Sequence, residues 1–301
     1  MNEEQKFLSE YNFNEYEKPS VAADMAVFTI MKEEVSKEDC RKLPEKKLKL
    51  LMIKRGNPPY KDLWALPGGF LKKGETIYET ARRELKEETG AQNAYLELCN
   101  VFSEKDRDPR GWIISQAFMA LVNTDETQEN TQKIRAGSDA KEAEWFEIRL
   151  EKKEETNTVM SETEMQFDIL YELNMVSQEI RLNATVAEHK VYQDYHELVE
   201  YKIINSEGIA FDHAKIITCI LNRLRKNVET DAKMAFDLMP EYFTLTDFQS
   251  AVEIILDKQL VKPNFRRKIA DYVIKTDEMV MDGGHRPSYL YKRNVKSFYG
   301  Q

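Results

Sequence analysis

Three glutamates stand close together near the end of the stretch GGFLKKGETIYETARRELKEETG, which runs from Gly68 to Gly90. Glu84, Glu87 and Glu88 have the i, i+3, i+4 spacing that places side chains on one face of a helix. Carboxylates at that spacing repel one another and destabilise an isolated helix by roughly 0.2–0.5 kcal/mol per pair. Divalent cations would remove this repulsion, because carboxylates suit Mg²⁺ and Mn²⁺, and Mg²⁺ usually joins them to substrate phosphates. The alternative is a solvated acidic helix surface.

The residues around these glutamates predict a helix with defined ends. Thr76, followed three residues later by Glu79, has the spacing of a capping box, and Gly90 suits the C-terminal end. The double glycine at 68–69 would let the backbone come close to a ligand or to the helix. Arg83 would orient a neighbouring carboxylate and offset part of the repulsion.

The spacing of the whole stretch fits the pattern G-x5-E-x7-R-E-U-x-E-E-x-G, where U is a bulky aliphatic residue. The matching residues are Gly69, Glu75, Arg83, Glu84, Leu85, Glu87, Glu88 and Gly90. This pattern is the Nudix box, and the chain resembles Nudix (MutT-like) proteins. One position departs from the family: Ala91 stands where a bulky aliphatic residue is preferred, which concerns packing rather than metal binding.

The resemblance implies an α/β (α+β) fold, the Nudix α/β/α sandwich, in which a mixed sheet lies between helices. Members of the family cleave a diphosphate linked to a nucleoside, using Mg²⁺ or Mn²⁺. Carried over by position, the implied metal ligands of the catalytic site are Glu84, Glu87 and Glu88.

The resemblance also implies residues that support the ligands. Arg83 and Glu75 would hold them by salt bridges or hydrogen bonds, and Gly69 would offer backbone contacts to the substrate. The general base varies within the family, and the candidates here are Glu88, Glu126 and Glu129.

Two further stretches, DRDPRGW (106–112) and GSDAKEAEWF (137–146), resemble segments of Nudix proteins that handle ADP-ribose. In the first, Arg107 and Arg110 would clamp the phosphates. Trp112 either faces a base or fills the core, and its place at an apolar strand favours the core. The two stretches favour ADP-ribose over a nucleoside triphosphate and leave other nucleotide sugars open.

Apolar and β-branched stretches predict strands at 21–31, 47–53, 95–102, 112–122 and 144–148. Strands alternating with one helix in this order favour a mixed-sheet α/β domain. The polar segment 152–164 predicts an exposed loop or a domain boundary, and the first 20 residues a weakly ordered lead-in. After the polar segment, two weakly alternating stretches are candidate strands, at 178–186 and 198–204.

The last third of the chain carries helix signals. Apolar residues with helical spacing follow Asp212 and predict a helix there. Asp212 and His213 could form a catalytic pair, but Asp212 is better interpreted as the N-cap of this helix. Thr246 with Gln249 suits the capping box of a helix at 247–256. Pro263 then suits the first residue of a third helix, whose apolar positions are Phe265, Ile269, Tyr272 and Val273.

A helix, a short turn, a second helix and two candidate strands around a double glycine are typical of a winged helix that binds DNA. Residues 258–301 contain ten Lys or Arg against four acidic residues, a net +6 in a chain whose total is −9. Basic side chains there would neutralise phosphates. The expected DNA contacts are Arg266, Arg267, Lys268 and Arg286, and the alternative is an ordinary solvated basic surface.

The stretches FTLTDFQ, NFRRKIADYVI, GGHRPSYLYKR and IAFDHAKII resemble the Nudix-related transcriptional regulators that control NAD metabolism. Those regulators bind ADP-ribose as effector, and many have altered Nudix boxes. Here the box is intact, which keeps hydrolysis open. We expect a lead-in at 1–20, a Nudix domain at 21–160, an extra segment at 161–208 and a winged helix domain at 209–301.

The length of 301 residues favours two domains, and no apolar run approaches the roughly 20 residues that cross a bilayer. Three separated cysteines indicate neither a disulfide framework nor a Cys-rich metal site, so a cytoplasmic setting is expected. The total charge of −9 opposes DNA binding unless basic surfaces are segregated and doubled, so a homodimer is expected.

Two functions are therefore open. The first is a Mg²⁺-dependent Nudix hydrolase that splits ADP-ribose into AMP and ribose 5-phosphate. The alternative is a DNA-binding transcriptional regulator that senses ADP-ribose through its Nudix domain. One molecule can have both functions, because slow hydrolysis of the bound ADP-ribose would return the sensor to its unbound state.

Overall fold

The computed structural model describes residues 2–32, 45–91, 94–123, 140–194, 196–282 and 286–299. Within these residues, ten strands form one mixed sheet in the order β10-β9-β8-β7-β2-β1-β6-β5, with β3 on β2 and β4 on β1. Their bounds are β1 Ser20–Lys32, β2 Lys46–Arg55, β3 Trp64–Ala65, β4 Gly68–Phe70, β5 Tyr95–Phe102, β6 Ile113–Leu121, β7 Ala140–Val159, β8 Glu164–Ser177, β9 Ile180–Gln193 and β10 His196–Glu207. Strands β1 and β6 are parallel, whereas the other pairs are antiparallel.

Helices cover both faces of the sheet. The helix α1 (Glu3–Glu10) has no buried residue, although Asn2 and Gln5 form a capping box where a weakly ordered lead-in was expected. The helix α2 (Ile77–Thr89) lies on one face, and its apolar side belongs to a cluster with strands β1, β2 and β6. The helix α3 (His213–Thr230) lies in the larger cluster on the opposite face, so the expected α/β/α sandwich is confirmed.

The prediction of an exposed loop at 152–164 is wrong. Strand β7 continues to Val159, and only the turn at 160–163 separates it from β8. Few apolar residues mark this stretch, because the outer part of the β7–β8 hairpin is exposed. Cross-strand pairing supports it instead, including a salt bridge of 2.8 Å between Lys153 and Glu172.

Residues 164–207, which had no full assignment from the sequence, form β8, β9 and β10 and extend the same sheet. Side chains along β8 and β9 alternate between buried and partly exposed, as expected for strands with one face against a helix. A buried polar contact reinforces this face: the hydroxyls of Tyr171 and Tyr201 donate to the carboxylate of Glu188 at 2.9 and 2.6 Å.

The C-terminal part has the predicted winged helix order. The helix α4 (Leu245–Leu256) is followed by α5 (Lys262–Ile269), β11 (Val273–Asp282), β12 (Arg286–Arg293) and α6 (Val295–Tyr299). Strands β11 and β12 form an antiparallel hairpin. An aromatic core holds the helices together, with the rings of Phe236 and Phe248 stacked at 3.9 Å.

Two helix boundaries differ from prediction. The N-cap of α4 is Thr244, which forms a capping box with Asp247, so the box predicted for Thr246 is wrong. Pro263 lies in the first turn of α5, one residue after its start, and α5 ends at Ile269 rather than continuing to Val273. A short 3₁₀ turn follows, and Val273 begins β11 because it pairs with Arg293.

The two parts of the chain share one hydrophobic core. The large cluster runs without interruption from the sheet through α3 into Phe236, Phe248 and Phe265. Arg225 of α3 ties the parts together, because its guanidinium donates to the carbonyls of Ile255 at 3.1 Å and Leu150 at 2.8 Å. The winged helix therefore packs directly on the sheet domain.

Candidate functional site

A cleft of about 370 Å³ opens where β4, the second half of α2 and the segment before α3 meet. Seven of the residues predicted from the sequence line it: Gly69, Arg83, Glu84, Glu87, Glu88, Arg107 and Arg110. The cavity therefore contains carboxylates, which suit divalent cations, and guanidinium groups, which suit phosphates.

The helix α2 has the predicted ends. The hydroxyl of Thr76 accepts from the backbone N–H of Glu79 at 3.2 Å, and the carboxylate of Glu79 accepts from the backbone N–H of Thr76 at 2.7 Å. Gly90 has φ of 74°, and its N–H donates to the carbonyl of Lys86. The left-handed conformation explains the glycine, since a residue with a Cβ adopts it at a cost.

Arg83 is the centre of an ionic network beside the cleft. Its guanidinium donates to both carboxylate oxygens of Glu75, at 2.9 and 3.2 Å, and to Glu84. Glu87 lies 3.8 Å from the same guanidinium. The hydrogen bond from Arg83 is the main cause that lowers the pKa of Glu75 to about 2.

This low pKa predicts a pH dependence of stability. Because the pKa of Glu75 is lower in the folded chain than the ordinary value of 4.5, its contribution is fully present above pH 4.5. That contribution is lost as the pH falls through about 2. The Glu75→Gln variant should therefore melt at lower temperature than wild type at neutral pH, and the difference should shrink on acidification. A difference in melting temperature between the two proteins that stays constant from neutral to acidic pH would contradict the ion pair.

Gly69 lies against the carboxylate of Glu84. A Cβ at this position would stand 1.9 Å from Oε1 of Glu84, so any larger residue would displace the carboxylate. The glycine therefore allows the backbone of β4 to touch the acidic face of α2. This contact is the structural reason for the spacing between the glycine and the glutamates.

The carboxylates fit a divalent cation by chemistry, and all three line the cleft. Among the described residues, however, no group of three or more His, Cys, Asp or Glu side chains is gathered as metal ligands. Glu84 instead turns to Arg83, and Glu87 is half exposed. The roles of Glu84, Glu87 and Glu88 as ligands remain predictions, and Glu126 and Glu129 lie outside the described residues.

The two arginines of the DRDPRGW stretch both line the cleft, and each has an acidic partner. The side chain of Arg107 is only 5% exposed and donates to both carboxylate oxygens of Asp212, at 3.0 and 2.7 Å. Arg110 donates to Asp108, with the shortest distance at 2.7 Å. Asp212 is the N-cap residue of α3, as predicted, but its side chain makes no capping hydrogen bond and accepts from Arg107 instead.

His213 lies in the wall of the cleft and is buried. The backbone N–H of Leu66 donates to its Nδ1 at 2.8 Å, so the neutral ring carries its proton on Nε2. That nitrogen lies 3.9 Å from the carboxylate of Asp24. Burial lowers the pKa of His213, which keeps the ring neutral and keeps Nδ1 available as an acceptor.

Replacing His213 should test this contact. We expect His213→Ala to lower the free energy of unfolding by about 2 kcal/mol or more, because it removes the acceptor of a buried N–H and leaves a cavity. His189→Ala is the matched control, since that ring is 42% exposed on the sheet extension and should change stability by less than about 0.5 kcal/mol. Urea unfolding measures the free energy of unfolding of both variants. Equal losses in the two would show that the buried hydrogen bond to His213 does not stabilise the fold.

Trp112 is not in the core. Its side chain is 57% exposed, so the preferred sequence interpretation is wrong. Strand β6 begins only at Ile113, and Trp112 uses its backbone carbonyl to accept from the N–H of Ser20 at 3.0 Å. The indole therefore lies outside both the core and the residues that line the cleft.

Several cleft residues escaped sequence reasoning. Asp24, Arg55, Phe70, Phe211 and His213 also line the cavity. Asp24 had a usable signal, because it is the one charged residue in the apolar stretch VAADMAVFTIM. The sequence names His213 only as an unfavoured catalytic partner of Asp212, and Phe70 stands next to the predicted Gly69. Arg55 and Phe211 carry no signal, because they reach the cleft only through the packing of distant segments.

The predicted DNA-contacting residues of the helix lie on one exposed surface. Arg266, Arg267 and Lys268 are exposed in the last turn of α5, while Phe265 and Ile269 on its other side are buried. Arg286 begins strand β12, beside the tip of the hairpin, and its side chain is outside the description. Strand β12 also presents the exposed Lys292.

Within the described part of the chain, none of the helices combines the length and the apolar composition that crossing a membrane requires.

Two protein-family models match the chain. Residues 42–164 match the NUDIX domain, and residues 235–292 match the NrtR DNA-binding winged helix domain. The first match contains the predicted box, and the second contains α4, α5 and both strands of the wing.

Curated relatives match nearly the whole chain or about a third of it. The chain is 28% identical over 298 residues to the ADPR responsive transcriptional repressor NtrR of Acinetobacter baylyi, which covers 98% of this chain and 90% of that protein. It is 48% identical over 104 residues to the ADP-ribose pyrophosphatase of Methanocaldococcus jannaschii, which covers 35% of this chain and 57% of that protein.

Solved structures share the whole arrangement. A MutT/nudix family protein from Enterococcus faecalis has a TM-score of 0.64 at 24% identity and covers 97% of this chain and 93% of its own. NrtR of Shewanella oneidensis, complexed with a 27mer DNA, has a TM-score of 0.57 at 22% identity, covering 92% and 94%. The resemblance stated from the sequence is confirmed: one chain contains a region that matches the NUDIX domain and, after it, a region that matches the NrtR DNA-binding winged helix domain.

Proposed function

We propose that this protein is a DNA-binding transcriptional regulator that responds to ADP-ribose in its Nudix cleft. The NtrR repressor, which is similar along nearly the whole chain, supports the pairing of effector and DNA binding. The basic, exposed surface of α5 supports DNA as the partner. A homodimer, which would double that surface, belongs to the same proposal.

The observation that carries the proposal is the position of α3. Its N-terminal residues, Asp212 and His213, contact cleft residues, while its body packs in the same core as the winged helix. A ligand in the cleft therefore touches the element on which the DNA-binding part rests. A regulator needs such a physical connection between its two sites.

The test is fluorescence anisotropy with labelled DNA from upstream of the protein's own gene, titrated without and with ADP-ribose. We expect salt-dependent binding that ADP-ribose changes by at least about fivefold, the lower end of common coupling between two sites. Ribose 5-phosphate is the control ligand. Failure to bind the DNA at low salt, or binding that ADP-ribose leaves unchanged, would refute the proposal.

Hydrolysis of ADP-ribose to AMP and ribose 5-phosphate is a second candidate function. It is favoured by the complete Nudix box and by the placement of all three predicted ligands in the cleft. Glu84, Glu87 and Glu88 would hold Mg²⁺ or Mn²⁺, which supplies charge neutralisation at the phosphates and a more acidic bound water. The similar region of the archaeal ADP-ribose pyrophosphatase supports this candidate.

Release of AMP from ADP-ribose in the presence of Mg²⁺ tests the second candidate. Glu88→Gln should lose most of the activity, about a hundredfold or more, while the melting temperature stays near that of wild type. Absence of turnover in wild type with either Mg²⁺ or Mn²⁺ would reject hydrolysis and leave the regulator proposal standing.

A further inference from the structure

We infer that Phe211 is a ligand-binding residue that stacks on the base of the bound nucleotide, opposite Phe70. Neither the Nudix match, which ends at residue 164, nor the sequence pattern assigns a role to this side chain. The inference rests on the proposed function, because it presumes a nucleoside diphosphate derivative in the cleft. It adds the part of the cleft that recognises the base.

Phe211 lies where the cleft meets the start of α3. Its ring is partly exposed and faces other planar groups: the ring of Tyr60 at 4.7 Å and the guanidinium of Arg55 at 4.8 Å. The ring also packs against the imidazole of His213 at 5.2 Å, and it belongs to neither hydrophobic cluster of the described residues. Aromatic rings at such positions bind planar ligands by stacking.

A planar group already lies against Phe211. The guanidinium of Arg110 lies over the ring of Phe211 at 5.3 Å and over the ring of Phe70 at 5.2 Å. A nucleobase is also planar and stacks on aromatic faces, so it can take this place. The guanidinium of Arg110 is also bound to Asp108, so a base takes this place only if that guanidinium turns away from the two rings.

The position of Phe70 sets the direction of the ligand. Phe70 follows Gly69, whose Cα lies against the carboxylate of Glu84. A nucleoside diphosphate whose phosphates lie near the glutamates therefore places its base toward the two phenylalanines. The carboxylates and the aromatic rings then contact different parts of one ligand.

The backbone around Phe211 is fixed before any ligand binds. Trp64 exchanges hydrogen bonds with this segment, donating to Gly208 at 2.9 Å and accepting from Ala210 at 2.7 Å. Phe211 itself has φ of 55°, a conformation that residues with a Cβ rarely adopt. Because contacts on both sides hold the ring in place, little ordering is left to binding.

The experiment measures the Kd of ADP-ribose by titration calorimetry for full-length wild type and three variants. Phe211→Leu removes the ring and keeps an apolar side chain, whereas Phe211→Tyr keeps the ring. Phe167→Leu is the matched control, because that ring is also partly exposed but lies on strand β8, outside the cleft. Thermal melting without ligand shows that each variant is folded.

We expect Phe211→Leu to weaken ADP-ribose binding about tenfold, within the range of base stacking on an aromatic ring. Phe211→Tyr and Phe167→Leu should stay within about threefold of wild type. Unchanged binding by Phe211→Leu, or equal losses in the leucine and tyrosine variants, would overturn the inference alone. A wild-type protein that does not bind ADP-ribose would overturn the proposed function together with it.

Discussion

Replacing Arg266 and Arg267 together with alanine is expected to weaken binding to the upstream DNA by at least about tenfold at low salt. Both side chains are exposed in α5, the second helix of the winged helix, which is the element that enters the major groove in this type of domain. If both contact phosphates, the slope of log K against log salt should also fall by about 2 for each bound winged helix domain. Anisotropy titrations at several salt concentrations measure both quantities.

The matched control removes two positive charges elsewhere. Arg82 and Arg181 are exposed on α2 and β9, outside the winged helix, so their double alanine variant has the same net charge. It should bind DNA nearly as wild type does. ADP-ribose binding should be unaffected in the Arg266/Arg267 variant, and equal losses of DNA binding in the two double variants would show only a general charge effect.

The second large effect is expected from Arg83→Ala. This residue holds Glu75 and Glu84 in their places, so its removal leaves two partly buried carboxylates without their main partner. Residues that orient metal ligands typically change metal affinity or activity by about 10- to 100-fold when they are replaced. We expect a loss of that size in Mg²⁺-dependent hydrolysis, or in Mg²⁺-dependent binding of ADP-ribose if turnover is absent.

The neighbouring arginine provides the control. Arg82 precedes Arg83 on the same helix but is exposed, so Arg82→Ala changes the same charge without touching the network. It should retain wild-type affinity and rate. Equal behaviour of the two alanine variants would show that the network around Arg83 does not support the site.

The Nudix motif was readable because its chemistry lies within one helix and the loop before it. The i, i+3, i+4 spacing, the capping pair and the glycines are local features, and a local pattern determines local structure. The same holds for α5, where the basic triplet and the apolar Phe265 and Ile269 already separate into two faces. These two helices are the elements that form as the sequence predicted.

The remaining parts depend on contacts between distant segments. The stretch 152–164 looked like a loop because it is polar, yet pairing with β8 makes most of it a strand. Asp212 looked like a capping residue, yet the approach of Arg107, far away in sequence, gives its carboxylate a stronger partner. Trp112 looked apolar enough for the core, but the strand begins one residue later.

The uninterrupted hydrophobic core between the sheet and the winged helix has a consequence for thermal unfolding. Since Phe236, Phe248 and Phe265 share a cluster with α3 and the sheet, the two parts are expected to melt in one transition. A ligand that binds only the folded Nudix cleft then raises the melting temperature of the DNA-binding part as well. Cutting the chain between them would expose apolar surface on both fragments, so neither should be as soluble as the intact protein.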